Sequence, residues 1–143
     1  MAVKIIGVVL VVIALLAGVI PALNNCTAEG LFITTKDGRE IDMKCYWTSR
    51  ASIVVAIPLA AVGIMLALFR RAETRRVLGV IAALLGIALV ALPTELIGVC
   101  QMDKTCLNVM RPSMILLGVL TIVLAGAAIA FARIGSTDVG AES

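Results

Sequence analysis

The chain has 143 residues, of which 62% are hydrophobic and 15% charged, with no histidine and a formal net charge of +3. A soluble domain of this length carries a larger polar and charged fraction. The composition therefore excludes a soluble globular enzyme and predicts an integral membrane protein.

Four apolar stretches with almost no charge follow one another along the chain. Each is close to the ~20 residues that a helix needs to cross a bilayer, where lipid offers no partner to an unpaired backbone amide. We predict an all-α fold, a four-helix transmembrane bundle that forms a single membrane domain over residues 1–143. The apolar stretches run over residues 5–23, 52–69, 77–92 and 114–132. The predicted spans are about 4–23, 52–70, 77–97 and 113–133, with outer loops at 24–51 and 98–112 and a cytoplasmic loop at 70–76.

The first outer loop contains a signal for a turn between two short β-prone runs. Residues 31–35 and 40–44 flank Asp37-Gly38, and glycine accepts a positive φ without steric cost. We predict a small β-hairpin here that caps the bundle.

All four cysteines fall in the two outer loops. Cys26 and Cys45 lie in the first loop, and Cys100 and Cys106 lie in the second. An even number of cysteines in an oxidising compartment is typical of disulfides, so we predict two. The sequence leaves all three pairings open.

The connection between the second and third spans is rich in arginine. Short cytoplasmic loops are enriched in Lys and Arg, so this connection is predicted to face the cytoplasm. Both termini are then cytoplasmic. A topology signal accounts for these arginines without a nucleic-acid partner; they are Arg70, Arg71, Arg75 and Arg76.

The two halves of the chain share landmarks in the same order. Each half has a proline near the end of its first span (Pro21, Pro93), then two cysteines, then an arginine five residues after the second cysteine (Arg50, Arg111). The halves therefore look like a duplicated helical hairpin with an axis along the membrane normal.

Ionisable residues are absent from the centres of the predicted spans. Ion and proton pathways in membranes usually need such residues, so a self-sufficient pump or channel is not expected. Glu95 follows Pro93 near the outer surface, and we group it with Arg50 and Arg111 as a candidate polar site.

Small residues recur at helical spacing in every span. Such pairs allow helices to approach closely in lipid, where there is no hydrophobic drive for association. Faces that the bundle does not use are available to other integral membrane subunits. The pairs are Ala14/Gly18, Ala56/Ala60, Gly63/Ala67, Gly79/Ala83, Ala82/Gly86 and Gly126/Ala130.

The outer loops also combine thiols with thioethers, the soft ligands that select copper(I). The residues of this alternative are Met43, Cys45, Cys100, Met102 and Cys106. Oxidised cysteines are the competing interpretation, and under it the protein has no metal and no cofactor. A thiol-exchange role fits less well, because no Cys-x-x-Cys pair is present.

Two segments carry a resemblance to a known family. Residues 43–51 (MKCYWTSRA) and 92–100 (LPTELIGVC), with Cys106 and Pro112, resemble a family of small prokaryotic membrane proteins catalogued as domain of unknown function 4418. The likeness covers about residues 26–132. It implies a four-span protein with outer cysteines, often encoded beside ABC-transporter components, and no particular reaction. Tyr46 stands where the family often has histidine, and the first loop is longer, which argues against a histidine-dependent metal or haem role.

We therefore expect a non-catalytic accessory or structural subunit of an ABC-transporter-type or other membrane complex, with disulfide-stabilised outer loops. The expected partners are the lipid bilayer and other integral membrane subunits. The alternative function is an extracytoplasmic thiol-redox or copper-handling membrane protein.

Overall fold

The computed structural model describes residues 2–24, 33–34, 36–41, 44–69, 71–97 and 106–137. Its helices are α1 (Ala2–Leu23), α2 (Lys44–Leu68), α3 (Ala72–Ala91) and α4 (Arg111–Thr137). A π-helical segment, π1 (Leu92–Leu96), continues α3, and a second, π2 (Cys106–Met110), leads into α4. Four helical stretches are long and apolar enough to cross a membrane, which confirms the predicted helical fold and makes this a multi-pass membrane protein. They are Val3–Leu23, Tyr46–Leu68, Ala72–Leu96 and Asn108–Ala132.

All four helices begin before their apolar stretches, and α2 and α3 do so by eight and five residues. Helix α2 starts at Lys44 and α3 at Ala72, so most of the predicted loop at 70–76 and the end of the predicted loop at 24–51 are helical. The reason is that backbone hydrogen bonding does not stop where the hydrocarbon layer stops. Polar residues such as Thr48 and Ser49, which precede the apolar stretch, are part of α2.

The first loop contains two strands of two residues each, β1 (Ile33–Thr34) and β2 (Glu40–Ile41). They pair antiparallel, with Ile33 opposite Ile41, and Gly38 has a φ of 74° in the connection between them. Two residue pairs do not establish a hairpin that caps the bundle. That feature stays a prediction.

Proline explains the π-helical end of α3. Pro93 has no N–H to donate to the preceding turn, and the chain widens so that the N–H of Ile97 donates to the carbonyl oxygen of Leu92 at 3.2 Å. The hydroxyl of Thr94 donates to the carbonyl oxygen of Val90 at 2.8 Å. The helix therefore continues past its proline without leaving this part of its backbone unsatisfied.

The helices pack as two antiparallel pairs, which we call hairpin 1 (α1 with α2) and hairpin 2 (α3 with α4). Contacts between the hairpins are fewer and run through α2 with α3 and α1 with α4. The chain ends of all four helices alternate, so α1 and α3 end where α2 and α4 begin. We call this the long-loop end and the opposite one the terminal end.

Glycines allow the closest helix contacts. A Cβ built on Gly7 would lie 2.7 Å from the carbonyl oxygen of Gly63, and one built on Gly118 would lie 2.9 Å from that of Gly86. Real Cβ atoms do not approach backbone this closely. Each hairpin is thus held at a separation that only glycine permits at these positions.

Apolar side chains occupy both the inside and the outside of the bundle. Leu10, Leu59, Leu66 and Leu89 are fully buried, whereas many equally large side chains on the outer faces are exposed, such as Ile57 at 67%. A helix that is apolar all round is typical of a lipid environment. The outside of this bundle is therefore its membrane-facing surface.

Candidate functional site

The long-loop end is where the predicted site residues are concentrated. Cys45 lies in the first turn of α2, and Cys106 is the first residue of π2. Cys26 and Cys100 lie outside the described residues, so the two predicted disulfides stay a prediction. The helix order does bring the backbones of Cys45 and Cys106 to the same end of the bundle.

The copper alternative is equally untested. Of its residues, Met43, Cys100 and Met102 lie outside the described part of the chain. The structure places the other two, Cys45 and Cys106, at the starts of helical segments in different hairpins.

The candidate polar site consists of exposed side chains. Glu95 in π1, Arg50 in α2 and Arg111 at the start of α4 are all exposed at the long-loop end. Among the described residues, the structure gives no ion pair between Glu95 and either arginine. Their grouping as one site stays a prediction.

Arg50 instead contacts an aromatic residue of its own helix. Its Nε donates to the hydroxyl of Tyr46 at 3.1 Å, and its Cζ lies 5.1 Å from the centroid of the Tyr46 ring. Tyr46 in turn meets Trp47 edge to face, with 5.7 Å between ring centroids. Trp47 is 59% exposed. Tyr, Trp and Arg side chains at a helix end are typical of the boundary between membrane and water.

A layer of hydroxyl groups lies buried just inside this boundary. Thr48, Ser49 and Ser52 of α2 are at most 3% exposed, and Met110 and Met114 are fully buried. Ser113 donates to the carbonyl oxygen of Met110 at 3.0 Å, where π2 joins α4. Ser52 likewise donates to the carbonyl oxygen of Ser49, so these two hydroxyls are satisfied by their own helical backbone and do not need a ligand or water.

A groove lies on the membrane face of hairpin 1 toward the long-loop end. It has a volume of about 480 Å³ and is lined by apolar residues of α1 and α2. Larger side chains border it, among them Leu23, Ile53 and Ile57. Small residues that are buried or half-buried form its floor: Ala14, Gly18, Ala22, Ala56 and Ala60.

The arginine-rich connection lies at the terminal end. Arg71 precedes α3, and Arg75 in its first turn donates from Nε to the carbonyl oxygen of Phe69 at 3.2 Å. A cation at the end of α2 complements the partial negative charge of the helix C-terminus. Arg76 lies in the same turn, and Arg70 lies outside the described residues. Arg75 therefore stabilises the turn between the hairpins. The number of arginines in the sequence did not predict this role.

One small-residue pair of the sequence is not used inside the bundle. Gly126 and Ala130 are exposed on α4, and a Cβ built on Gly126 would meet no atom of the described bundle within 4 Å. By contrast, Gly63, Gly79 and Gly86 are buried against a neighbouring helix. The exposed pair is an unoccupied helix face of the kind that transmembrane helices use to associate.

Sequence comparison supports a family and no activity. The family model described as "Domain of unknown function (DUF4418)" matches residues 8–131. No curated protein and no solved structure matches the chain at a significant level. The matched range covers all four membrane-crossing helices almost completely.

Proposed function

Because the chain belongs to the DUF4418 family, whose description names no activity, we propose a function from the bundle itself. The protein is a non-catalytic accessory subunit that packs against another integral membrane protein. An ABC-transporter component is the expected partner. The exposed Gly126/Ala130 face of α4 is the observation that carries the proposal.

The interior of the bundle supports a packing role. Among the side chains that the structure describes, the buried polar ones are hydroxyls, Thr48, Ser49, Ser52 and Thr121, and no charged side chain is buried. Thr121 donates to the carbonyl oxygen of Leu117 at 2.8 Å within its own helix. Proton relays and ion pathways rely on ionisable groups at membrane depth. The described interior is built for close helix contact instead.

The face on α4 suits a partner helix because of its shape. Gly126 and Ala130 are one turn apart and follow the exposed Val123 on the same side of the helix. A partner helix that packs here gains close backbone approach, which side chains of lipid-facing Leu and Val elsewhere would prevent.

The proposal includes an orientation. With the arginines of the turn between α2 and α3 in the cytoplasm, both termini are cytoplasmic and the long-loop end faces outward. The two cysteine-bearing loops then lie in the oxidising compartment, where disulfides stabilise them and present them to the outer part of a partner.

The test uses the full-length chain, extracted from its own membrane in a mild detergent with a C-terminal tag. We expect an ABC-transporter membrane component to copurify in a fixed ratio. Gly126→Leu should reduce the recovered partner about tenfold or more, because a large side chain blocks close approach. The bundle itself should keep its melting temperature, since Gly126 is exposed and a Cβ built on it meets no atom of the described bundle within 4 Å.

The matched control is Ala61→Leu, which enlarges an exposed small residue of α2 away from that face. It should leave the partner bound. Recovery of this chain alone from mild detergent would contradict the proposal, as would equal loss of the partner in both variants.

The copper or thiol-redox alternative makes a different prediction for the cysteines. An accessory subunit with stapled loops has no reactive thiol before reduction and four after it. Free thiols on the unreduced, freshly purified protein, together with bound copper, would favour the alternative and exclude structural disulfides.

A further inference from the structure

The groove on hairpin 1 has a charged group in line with it. Along α2, Tyr46, Arg50, Ile53 and Ile57 recur at spacings of three and four residues, so they form one stripe on the helix surface. Ile53 and Ile57 line the groove, and Arg50 lies one turn beyond Ile53 toward the long-loop end. An exposed arginine therefore lies about one helical turn from the end of the groove, at the long-loop end.

Tyr46 holds the side chain of Arg50 in place, and the terminal nitrogens of Arg50 can still donate to another group. Tyr46 engages the Nε and the face of the guanidinium. Within the described part of the chain, the two terminal nitrogens donate no hydrogen bond. A planar guanidinium with free terminal N–H groups matches the geometry of phosphate oxygens and binds them with two parallel hydrogen bonds.

We propose that this groove binds a membrane phospholipid with an anionic headgroup. One acyl chain lies between α1 and α2, and the phosphate region accepts hydrogen bonds from Arg50. The lining of the groove is apolar throughout, which suits a hydrocarbon chain, and the charge at its mouth is opposite in sign to the lipid phosphate. The proposal does not depend on the accessory function, which concerns α4.

The dimensions of the groove suit an acyl chain. From Ala14 to Leu23 the groove follows roughly 14 Å of α1 at 1.5 Å per residue. Its volume of about 480 Å³ and its apolar lining can hold part of an extended hydrocarbon chain.

Hairpin 2 provides an internal contrast. Gly18 faces Ala56 in hairpin 1, and the corresponding contact in hairpin 2 is between Val90 and Gly118. The position that matches Ala60 is Ile122, whose Cγ1 would lie 2.9 Å from a Cβ built on Gly86. In hairpin 2, larger side chains therefore fill the space that stays open between the small residues of hairpin 1.

The headgroup is tested with the full-length protein in lipid nanodiscs that contain equal amounts of phosphatidylglycerol and phosphatidylcholine with identical acyl chains. After release into a mild detergent, native mass spectrometry counts the lipids that stay bound. We expect retention of phosphatidylglycerol over phosphatidylcholine. Arg50→Gln should lower the phosphatidylglycerol affinity about tenfold, the usual effect of losing hydrogen bonds to a charged group.

Arg111→Gln is the matched control, because Arg111 is an exposed arginine at the same end of the bundle but beside hairpin 2. It should retain the lipid. Tyr46→Phe keeps the ring and removes the hydroxyl that orients Arg50, so it should weaken binding by less than Arg50→Gln. Equal retention of the two lipids, or equal loss in the two arginine variants, would overturn the assignment of Arg50.

The groove itself is tested by copying hairpin 2 into hairpin 1 with Gly18→Val and Ala60→Ile. A Cβ built on Gly18 meets only the Cβ of Ala56, at an ordinary 3.7 Å, so the added side chains have room. We expect the melting temperature to stay or rise and the bound lipid to be lost. A folded double variant that still retains phosphatidylglycerol would refute the acyl-chain site. Copurification of another membrane protein with the wild type but not with this variant, with no lipid bound to either, would show that a helix occupies the groove.

Discussion

Hairpins 1 and 2 use the same contact register with different side chains. Gly7 faces Gly63 and Ala67, and Gly79 faces Ala125 and Ile129; Gly18 faces Ala56, and Val90 faces Gly118. The spacing from Gly7 to Gly18 equals that from Gly79 to Val90, and the spacing from Ala56 to Gly63 equals that from Gly118 to Ala125. The comparison teaches that one helix-pair geometry yields either a closed or a grooved surface, depending on which residues meet.

Two landmarks of the sequence fall out of this register. Cys106 and Arg111 are each one residue further from Ala125 than Cys45 and Arg50 are from Gly63. The halves therefore share the spacing of the helix contacts but not the spacing from these contacts to the cysteine and the arginine. The duplication of the hairpin itself stays a prediction.

The surfaces of the two hairpins differ because a small residue meets another small residue at the groove of hairpin 1. Where Gly18 meets Ala56, neither side chain fills the space between α1 and α2, and the groove remains. Where Val90 meets Gly118, the valine occupies the gap that the glycine leaves. Counting small residues therefore does not show where a membrane surface is open, because the partner position decides.

The largest expected effect is on stability, and it distinguishes Gly7 from Gly79, the glycine at the matching position of hairpin 2. In Gly7→Ala the new Cβ would lie 2.7 Å and 2.8 Å from backbone atoms of Gly63 and Ala67, which can move only with their helix. We expect the free energy of unfolding, measured by titration with dodecyl sulfate in mixed micelles, to fall by about 2 kcal/mol.

Gly79→Ala should cost less than about 1 kcal/mol in the same measurement. The nearest neighbour of the new Cβ is the Cγ1 of Ile129 at 2.6 Å, a side-chain atom that can move without its helix, and the nearest backbone atom is 3.3 Å away. Equal losses in the two variants would contradict the expected difference and show that the two crossings are equally rigid.

An intermediate effect is expected from opening hairpin 2. Ile122→Ala removes one of the side chains that fill the position of the groove, and Ile122 is half-buried. The stability should fall by about 1 kcal/mol, below the cost at a fully buried site. The matching change in hairpin 1, Ala60→Val, should not lower the stability, and a loss there would contradict the open groove.

The smallest effect concerns the turn that joins the hairpins. Arg75→Gln removes the charged donor to the carbonyl oxygen of Phe69. A solvent-accessible bond of this kind contributes about 0.5 kcal/mol or less. Arg75→Lys should recover part of it through its charge. Single cysteines introduced at the two termini should keep the same accessibility in both variants, because Arg71 and Arg76 still mark the side of the membrane.

Much of the fold was readable from the sequence. Four apolar stretches fixed the number of spans, since the bilayer sets their length and lipid enforces backbone pairing within each helix. The helix starts at Lys44 and Ala72 were not readable, because polar residues such as Thr48 and Arg75 continue a helix that hydropathy ends. The two π-helical segments were not predicted either, although Pro93 marks the place of the first.

The candidate site was predicted less completely than the fold. The sequence drew attention to Arg50 as a landmark of the repeat, and the structure showed that Arg50, one turn before the groove-lining Ile53, donates from its Nε to the hydroxyl of Tyr46. The i, i+4 spacing of the two residues was a signal that sequence reasoning passed over. The disulfides, the orientation and the partner stay predictions of the sequence and the proposal.

The sequence by itself determined that this chain lives in a membrane, crosses it four times and carries its cysteines in the segments around one end of the bundle. These features depend only on local hydropathy and chain order. The tertiary structure decided which small residues are consumed by helix crossings and which stay open, at the groove of hairpin 1 and at Gly126 of α4. That outcome depends on which residue lies opposite on the neighbouring helix, so it cannot be predicted from the spacing of small residues within one helix.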